Sequence, residues 1–129
     1  MIVLDASVLI AHFDARDAQH GRALKALEST GSEELGASVI TLAECLVAPA
    51  RAERLDRAHT ALGDLGISEL GLPSDSSTAL AALRAQTNLR LPDCCVLLCA
   101  QRQHASLLTF DAQLANRARS VGVKLMAAG

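Results

Sequence analysis

Aromatic residues are almost absent: the chain has neither Trp nor Tyr, and Phe13 and Phe110 are its only Phe residues. The core must therefore be built from Leu, Val, Ile and Ala, in a composition that is half hydrophobic. An excess of positive charge is also missing. The net charge of -2 excludes a globally basic nucleic-acid binder, although it leaves room for a local basic patch. No apolar run reaches membrane-spanning length, and Met1 leads straight into a strand-like segment without a basic flank or small-residue cleavage site. A cytoplasmic protein with no membrane partner is expected. Repeats, linkers and low-complexity tracts are lacking, so the 129 residues are expected to form a single domain, 1–129, long enough to bury about two thirds of the unfolded surface. Neither a Gly-rich dinucleotide fingerprint nor a P-loop occurs. Of Cys45, Cys94, Cys95 and Cys99, three crowd one apolar stretch, which predicts reduced, buried thiols rather than disulfides. Cys95, Cys99 and His104 do not make a zinc spacing, and His12, His20 and His59 add no ligand pattern.

What is present is an alternation of strands and helices. Ile2 to Leu4 reads as a short buried strand and Ala6 to Phe13 as a helix. Asp17 to Ser29 has helical spacing and is closed by Gly31. Gly36 to Ile40 reads as a second strand. Thr41 and Glu44 fit a capping box opening a helix that Pro49 stops. Arg51 to Leu62 is a helix, Ile67 to Leu70 a third strand, and Ser74 to Thr87 a helix. Leu91-Pro92-Asp93 opens a helix that is apolar all round from Cys94 to Ala100, and so central to the fold. Ser106 to Thr109 is a fourth strand, Ala112 to Ser120 a helix closed by Gly122, and Val123 to Met126 a fifth strand. Short continuous apolar strands between helices imply an α/β fold with a parallel sheet covered on both faces.

Four carboxylates fall where such a sheet binds ligands, beyond the carboxyl ends of its strands. Asp5 ends the first strand and Asp111 follows the fourth. Glu44 opens the helix after the second, and Asp93 heads the buried helix. Each can also be read as a helix cap: Asp5 and Asp111 at N-caps, Glu44 as the partner of Thr41, and Asp93 behind a proline where the helix dipole favours an anion. Asp5 and Asp93, however, adjoin apolar segments that draw their carboxylates inward. Two unit charges about 4 Å apart repel by roughly 4 kcal/mol at an effective dielectric of 20, so converging carboxylates need a cation. An all-oxygen acidic site suits Mg²⁺ or Mn²⁺, and hydrolytic phosphoryl chemistry is its natural use.

The stretches IVLDASVLI, SVITLAECL, RLPDCCVLLCA and LLTFDAQLANRA, in this order and spacing, resemble those of PIN-domain proteins, most nearly the VapC group of ribonuclease toxins from type II toxin–antitoxin modules. The resemblance covers essentially the whole chain. It implies a three-layer α/β/α sandwich around a five-stranded parallel sheet of order 3-2-1-4-5, and metal-binding acids at Asp5, Glu44, Asp93 and Asp111. It also implies a hydroxyl at Ser7 that bonds the site, and Mg²⁺-dependent hydrolysis of RNA to 5′-phosphate and 3′-hydroxyl ends. A homodimer is expected, together with a small VapB-like antitoxin that reaches the acidic edge with an Arg. Cys94 and Cys95 stand where small or aliphatic residues are usual after the Pro-Asp pair, so their oxidation would disturb the site.

Two other features are less specific. Arg51, Arg54 and Arg57 recur on one helix and fit either an RNA backbone or, more simply, a solvated face. Asn116 lies one turn beyond Asp111, either supporting the site or exposed. Competing functions are an aspartyl-phosphate phosphatase of haloacid-dehalogenase type, in which Asp5 would be the nucleophile, and a silent PIN-fold binding module. The phosphatase wants a second Asp where this chain has Ser7, and the silent module has no reason to keep all four acids.

Overall fold

The computed structural model describes residues 1–126. Its elements run β1 (Ile2–Leu4), α1 (Ala6–Phe13), α2 (His20–Glu28), β2 (Leu35–Ser38), α3 (Val39–Arg51), α4 (Leu55–Asp64), β3 (Ile67–Leu70), α5 (Ser76–Thr87), α6 (Leu91–Arg102), β4 (Ser106–Leu108) and α7 (Ala112–Ser120). The sheet is parallel, in the order β3-β2-β1-β4. The chain therefore builds outward from β1 through β2 to β3, then crosses back to the other side of β1. The crevice between the carboxyl ends of β1 and β4 is a topological switch point.

Side-chain alternation on these short strands makes two cores. Val3 and Leu107 face one side, where they pack with Leu83, Leu97, Leu114 and Ala118 of α5, α6 and α7. Ile2, Leu4 and Leu108 face the other, with Val8, Ala26, Leu42 and Leu62 of α1 to α4. Leu, Val, Ile, Ala and Cys fill both, as the shortage of aromatics requires. Cys94 to Ala100 of α6 are all buried, because this helix lies against β1, β2, β4, α3 and α5 at once. Gly36 on β2 is closely covered: a Cβ there would stand 2.8 Å from the Leu70 side chain, which would have to shift. No helix among the described residues is long and apolar enough to cross a membrane.

Several boundaries differ from the sequence expectation. Among the described residues the fifth strand is reduced to one parallel bridge, Leu107 to Leu125, so the sheet there has four strands rather than five. The reason is local: the Val123 amide turns back to the Ala118 carbonyl at 2.9 Å, closing α7, with Gly122 at φ +81°. Only Leu107 then exchanges bonds with Lys124 and Met126. Helix α3 begins at Val39, capped by Ser38 Oγ, which accepts from the Ile40 amide at 3.1 Å. Thr41 therefore lies inside the helix, and the capping box with Glu44 does not form. Pro49 is carried within α3; it forfeits one amide bond near the helix end, while packing on α1, α4 and α6 holds the segment. Pro92 is the second residue of α6, after Leu91.

Leu97 is fully buried and Leu24 is 45% exposed. Leu97→Ala is expected to cost about 2–5 kcal/mol through lost burial and a cavity, whereas Leu24→Ala should stay within about 0.5 kcal/mol. Urea unfolding followed by circular dichroism measures both.

Candidate functional site

Asp5 leaves β1 at the switch point and is only 5% exposed. Burying a carboxylate is costly unless its oxygens find donors, and here hydroxyls supply them. Ser7 Oγ donates to Oδ1 at 2.6 Å and Thr109 Oγ1 to Oδ2 at 2.7 Å, while the Val8 amide approaches Oδ1 at 3.4 Å as the α1 cap. The same hydroxyls also accept: Ser7 Oγ from the Phe110 amide at 3.0 Å, and Thr109 Oγ1 from the Asp111 amide at 3.0 Å. Each hydroxyl has a single proton, and both protons point at Asp5, so the turn after β1 and the turn after β4 are stitched together through one carboxylate. Ser7 thus bonds Asp5 directly. In the sequence Thr109 stands only as the end of a strand; the signal that marks it is a hydroxyl residue two positions before Asp111 at a strand end, the counterpart of Ser7 two positions after Asp5.

Asp111 is exposed and caps α7, its Oδ1 accepting from the Gln113 and Leu114 amides at 2.9 and 3.1 Å. Its Oδ2 makes no bond among the described residues. Asp93 sits half-buried in the first turn of α6, where no side-chain cap bond forms. Glu44 is exposed on α3. Asn116 is exposed on α7, and its Oδ1 accepts from Arg119 Nη1 at 3.1 Å, within the same helix.

Electrostatics tie three of these acids together. The Asp5 carboxyl is raised above the ordinary range by burial, against the lowering effect of the Ser7, Thr109 and Val8 bonds, with the Asp111 charge adding to the rise. Asp93 is raised by burial and by Asp111, with Arg90 opposing. Glu44 acts on neighbouring thiols: Cys45 is pushed up to about 11 by burial first, then by Glu44 and Asp5, and Cys95 is raised by burial, Cys94 and Glu44. All four cysteines are free. Cys94 and Cys95 lie beside the acids but are almost wholly buried with raised thiols, so they are poor targets for oxidation.

Among the described residues, no three His, Cys, Asp or Glu side chains stand close enough to hold a metal ion together. The donor chemistry nonetheless suits a hard cation. The set is all oxygen, Asp5 retains acceptor capacity at Oδ2, Asp111 has one unbonded oxygen, and Asp93 has no hydrogen-bonded partner to give up.

A carboxyl raised in the folded state favours folding below its unfolded pKa and loses that advantage as pH climbs through the folded value. Near neutrality, ionised Asp93 is therefore a strain in the metal-free protein. Asp93→Asn, which sacrifices no hydrogen bond, should raise the Tm in chelator at pH 7 by about 1–3 °C, and the gain should fade below about pH 4. Asp5→Asn should gain less, since its amide group would face the Thr109 hydroxyl proton with a donor. Thermal melts across pH give both results.

The PIN domain family model matches residues 2–120. No curated protein matches the chain. Among solved structures, a toxin–antitoxin complex from Klebsiella pneumoniae is similar at 27% identity and TM-score 0.73, over 86% of this chain and 87% of that one. FitAcB from Neisseria gonorrhoeae is similar at 20% identity and TM-score 0.75, over 99% and 98% of the two chains. VapC20 from Mycobacterium tuberculosis, described as a sarcin-ricin loop cleaving toxin, shares 16% identity with a TM-score of 0.76 over 98% of each chain. The family match takes in the first strand, both turns that Asp5 joins and the closing helix, and the chain belongs to the PIN-domain family.

Proposed function

We propose that this protein is a divalent-metal-dependent endoribonuclease and the toxin of a toxin–antitoxin pair. The observation that carries the reading is Asp5: a buried carboxylate at the switch point, oriented by two hydroxyls and lying in the field of Asp111. Family membership supports the choice of nuclease chemistry. Both Asp5 oxygens are hydrogen-bonded and shielded from solvent, which counts against the nucleophilic carboxylate that a phosphatase of the aspartyl-phosphate kind requires.

Asp5, Glu44, Asp93 and Asp111 would hold Mg²⁺, with Mn²⁺ able to substitute. When bound, such an ion activates a water and neutralises charge on the phosphodiester. Ser7 and Thr109 keep Asp5 oriented and ionised against the cost of burial. Asp111 anchors one oxygen in the first turn of α7 and leaves the other for the site. Asp93, unbonded and with raised proton affinity, is suited to accept the proton of the attacking water at a carboxylate oxygen. The water oxygen joins phosphorus as the bond to the 3′ oxygen breaks, and that oxygen takes a proton from solvent, which leaves a 3′-hydroxyl and a 5′-phosphate.

A protein partner is supported by the apolar surface. Ile10 and Phe13 of α1, Val47 of α3 and Leu55 of α4 are each about half exposed, a rim of large side chains of the kind that marks interaction sites. Phe13, Cys45, Leu46, Pro49, Ala58 and Leu62 line a groove of about 130 Å³ between these helices. The Klebsiella relative was itself crystallised as a toxin–antitoxin complex. An antitoxin segment with apolar anchors fits the groove, and an Arg from it would offer a planar fork of donors to the acids.

Incubation with tRNA, rRNA and mRNA should give cleavage in Mg²⁺ and none in chelator, with 5′-phosphate ends. Cyclic 2′,3′-phosphate ends or full activity in chelator would overturn the reading. Thr109→Val should lower the cleavage rate about 10–100-fold by releasing Asp5, and Thr109→Ser should restore most of it.

Light scattering should show a homodimer, and a small protein encoded beside this one should co-purify with it. Phe13→Asp should abolish that co-purification. A monomer without any such neighbour would count against the partner assignment.

A further inference from the structure

Two clusters of basic residues lie outside the acids, and their surroundings differ. On α4 and the turn before it, Arg54 and Arg57 line a depression together with Glu53 and Asp56, so cation and carboxylate alternate and little net field remains. The second cluster lines a cleft of about 780 Å³ between α2, β4, α7 and the residues that follow α7. Its cations are Arg22, Arg119 and Lys124, its floor includes Leu125 and Met126, and Thr109 is part of its wall. Among the described residues no Asp or Glu lines this cleft. The one salt bridge among them is the Met1 amino group with Glu33, so none of the three cations pairs with a carboxylate of the described residues.

The cations are also held in place. The Arg22 guanidinium carbon lies 4.4 Å from the centroid of the Phe110 ring, a cation–π contact that orients the group. Phe110 in turn is fixed by its amide bond to Ser7 Oγ. Arg119 Nη1 donates to Asn116 Oδ1 at 3.1 Å, and its other N–H groups make no bond among the described residues. The cleft thus includes Thr109, the residue that grips Asp5, together with a wall of three cations that no Asp or Glu of the described residues faces within it.

We propose that this cleft binds the phosphodiester backbone of single-stranded RNA flanking the bond to be cut, with Arg22, Arg119 and Lys124 as positioning residues for its phosphates. The inference rests on the nuclease reading and adds to it the path of the strand. Guanidinium groups suit phosphate because they offer paired N–H donors to two of its oxygens. Among the described residues no aromatic side chain lines the cleft, and the nearby Phe110 ring is covered by Arg22, so neither offers a platform for base stacking. The cleft's grip is therefore on the backbone and carries register rather than sequence.

The test uses the full chain in chelator, where the RNA stays intact, and a fluorescein-labelled single-stranded RNA titrated at several salt concentrations. Replacing Arg22, Arg119 and Lys124 together by Gln should weaken binding at least about tenfold at low salt and flatten the log–log salt dependence by about 2, the loss of three phosphate contacts on a single strand. All three residues are exposed, so the melting curve should match the wild type. The Arg51→Gln, Arg54→Gln, Arg57→Gln variant should keep the wild-type salt dependence. An unchanged slope in the cleft variant, a flattening confined to the α4 variant, or an effect seen with duplex DNA but not with single-stranded RNA would each overturn the proposal. Parallel cleavage assays in Mg²⁺ separate the two readings. Wild-type cleavage with an unchanged cleft-variant slope removes the cleft and leaves the nuclease. A flattened slope without wild-type cleavage removes the nuclease and leaves the cleft as an RNA-binding surface.

Discussion

The carboxylate of Asp5 is the constraint on which the rest of the site depends. A buried charge without donors would be expelled or protonated, yet Asp5 sits at the end of a fully buried strand with no cation of the protein beside it. Two hydroxyls answer that demand, one from the turn that follows β1 and one from the turn that follows β4. Backbone pairing sets β1 beside β4 up to Leu4 and Leu108. Beyond that point the side chains of Ser7 and Thr109, through Asp5 and the amides of Phe110 and Asp111, continue the connection. The edge of the sheet is thereby fixed where chemistry would need it fixed.

Helix α6 shows the same logic from the apolar side. A helix buried on every face cannot solvate itself along its length, so its first turn must emerge at an edge, and that turn carries Asp93. Burial is the leading cause of the raised proton affinity of both Asp93 and the cysteines next to it, with different consequences. For the thiols it means low reactivity and service as small packing groups. For Asp93 it means an acid whose ionisation at neutral pH strains the metal-free fold and would be relieved by a cation.

Capping does not use up a carboxylate. A carboxylate has two oxygens, and at Asp111 one satisfies the first amides of α7 while the other stays uncommitted. At Asp5 a single oxygen serves both the α1 amide and Ser7, leaving the second to Thr109 alone. Capping orients these acids as well as stabilising the helices. Glu44 is the opposite case: it stands at capping-box spacing from Thr41, but the helix starts earlier, at Ser38, so the pattern of letters has no structural counterpart.

The linear order of apolar runs, turn residues and acids was enough to determine the α/β alternation, the parallel sheet, the central position of Cys94 to Ala100 and the placing of Asp5 and Asp111 at strand ends. These are properties of short range: a strand three residues long with Asp after it, or a helix without a polar face, is visible in the local chain. Helix starts were less legible where two hydroxyl residues competed, as Ser38 and Thr41 did, because the winner depends on which helix face packs against its neighbours. Pro49 could be carried inside a helix only because tertiary contacts outweigh one lost amide bond. Among the described residues the fifth strand is no more than a bridge because the end of α7 claims the Val123 amide, a competition between two partners that no single segment records. Thr109 became the second support of Asp5 only when β4 came to lie beside β1. A hydrogen bond between residues 104 positions apart is decided by the sheet, since the strand order alone brings those two turns within reach.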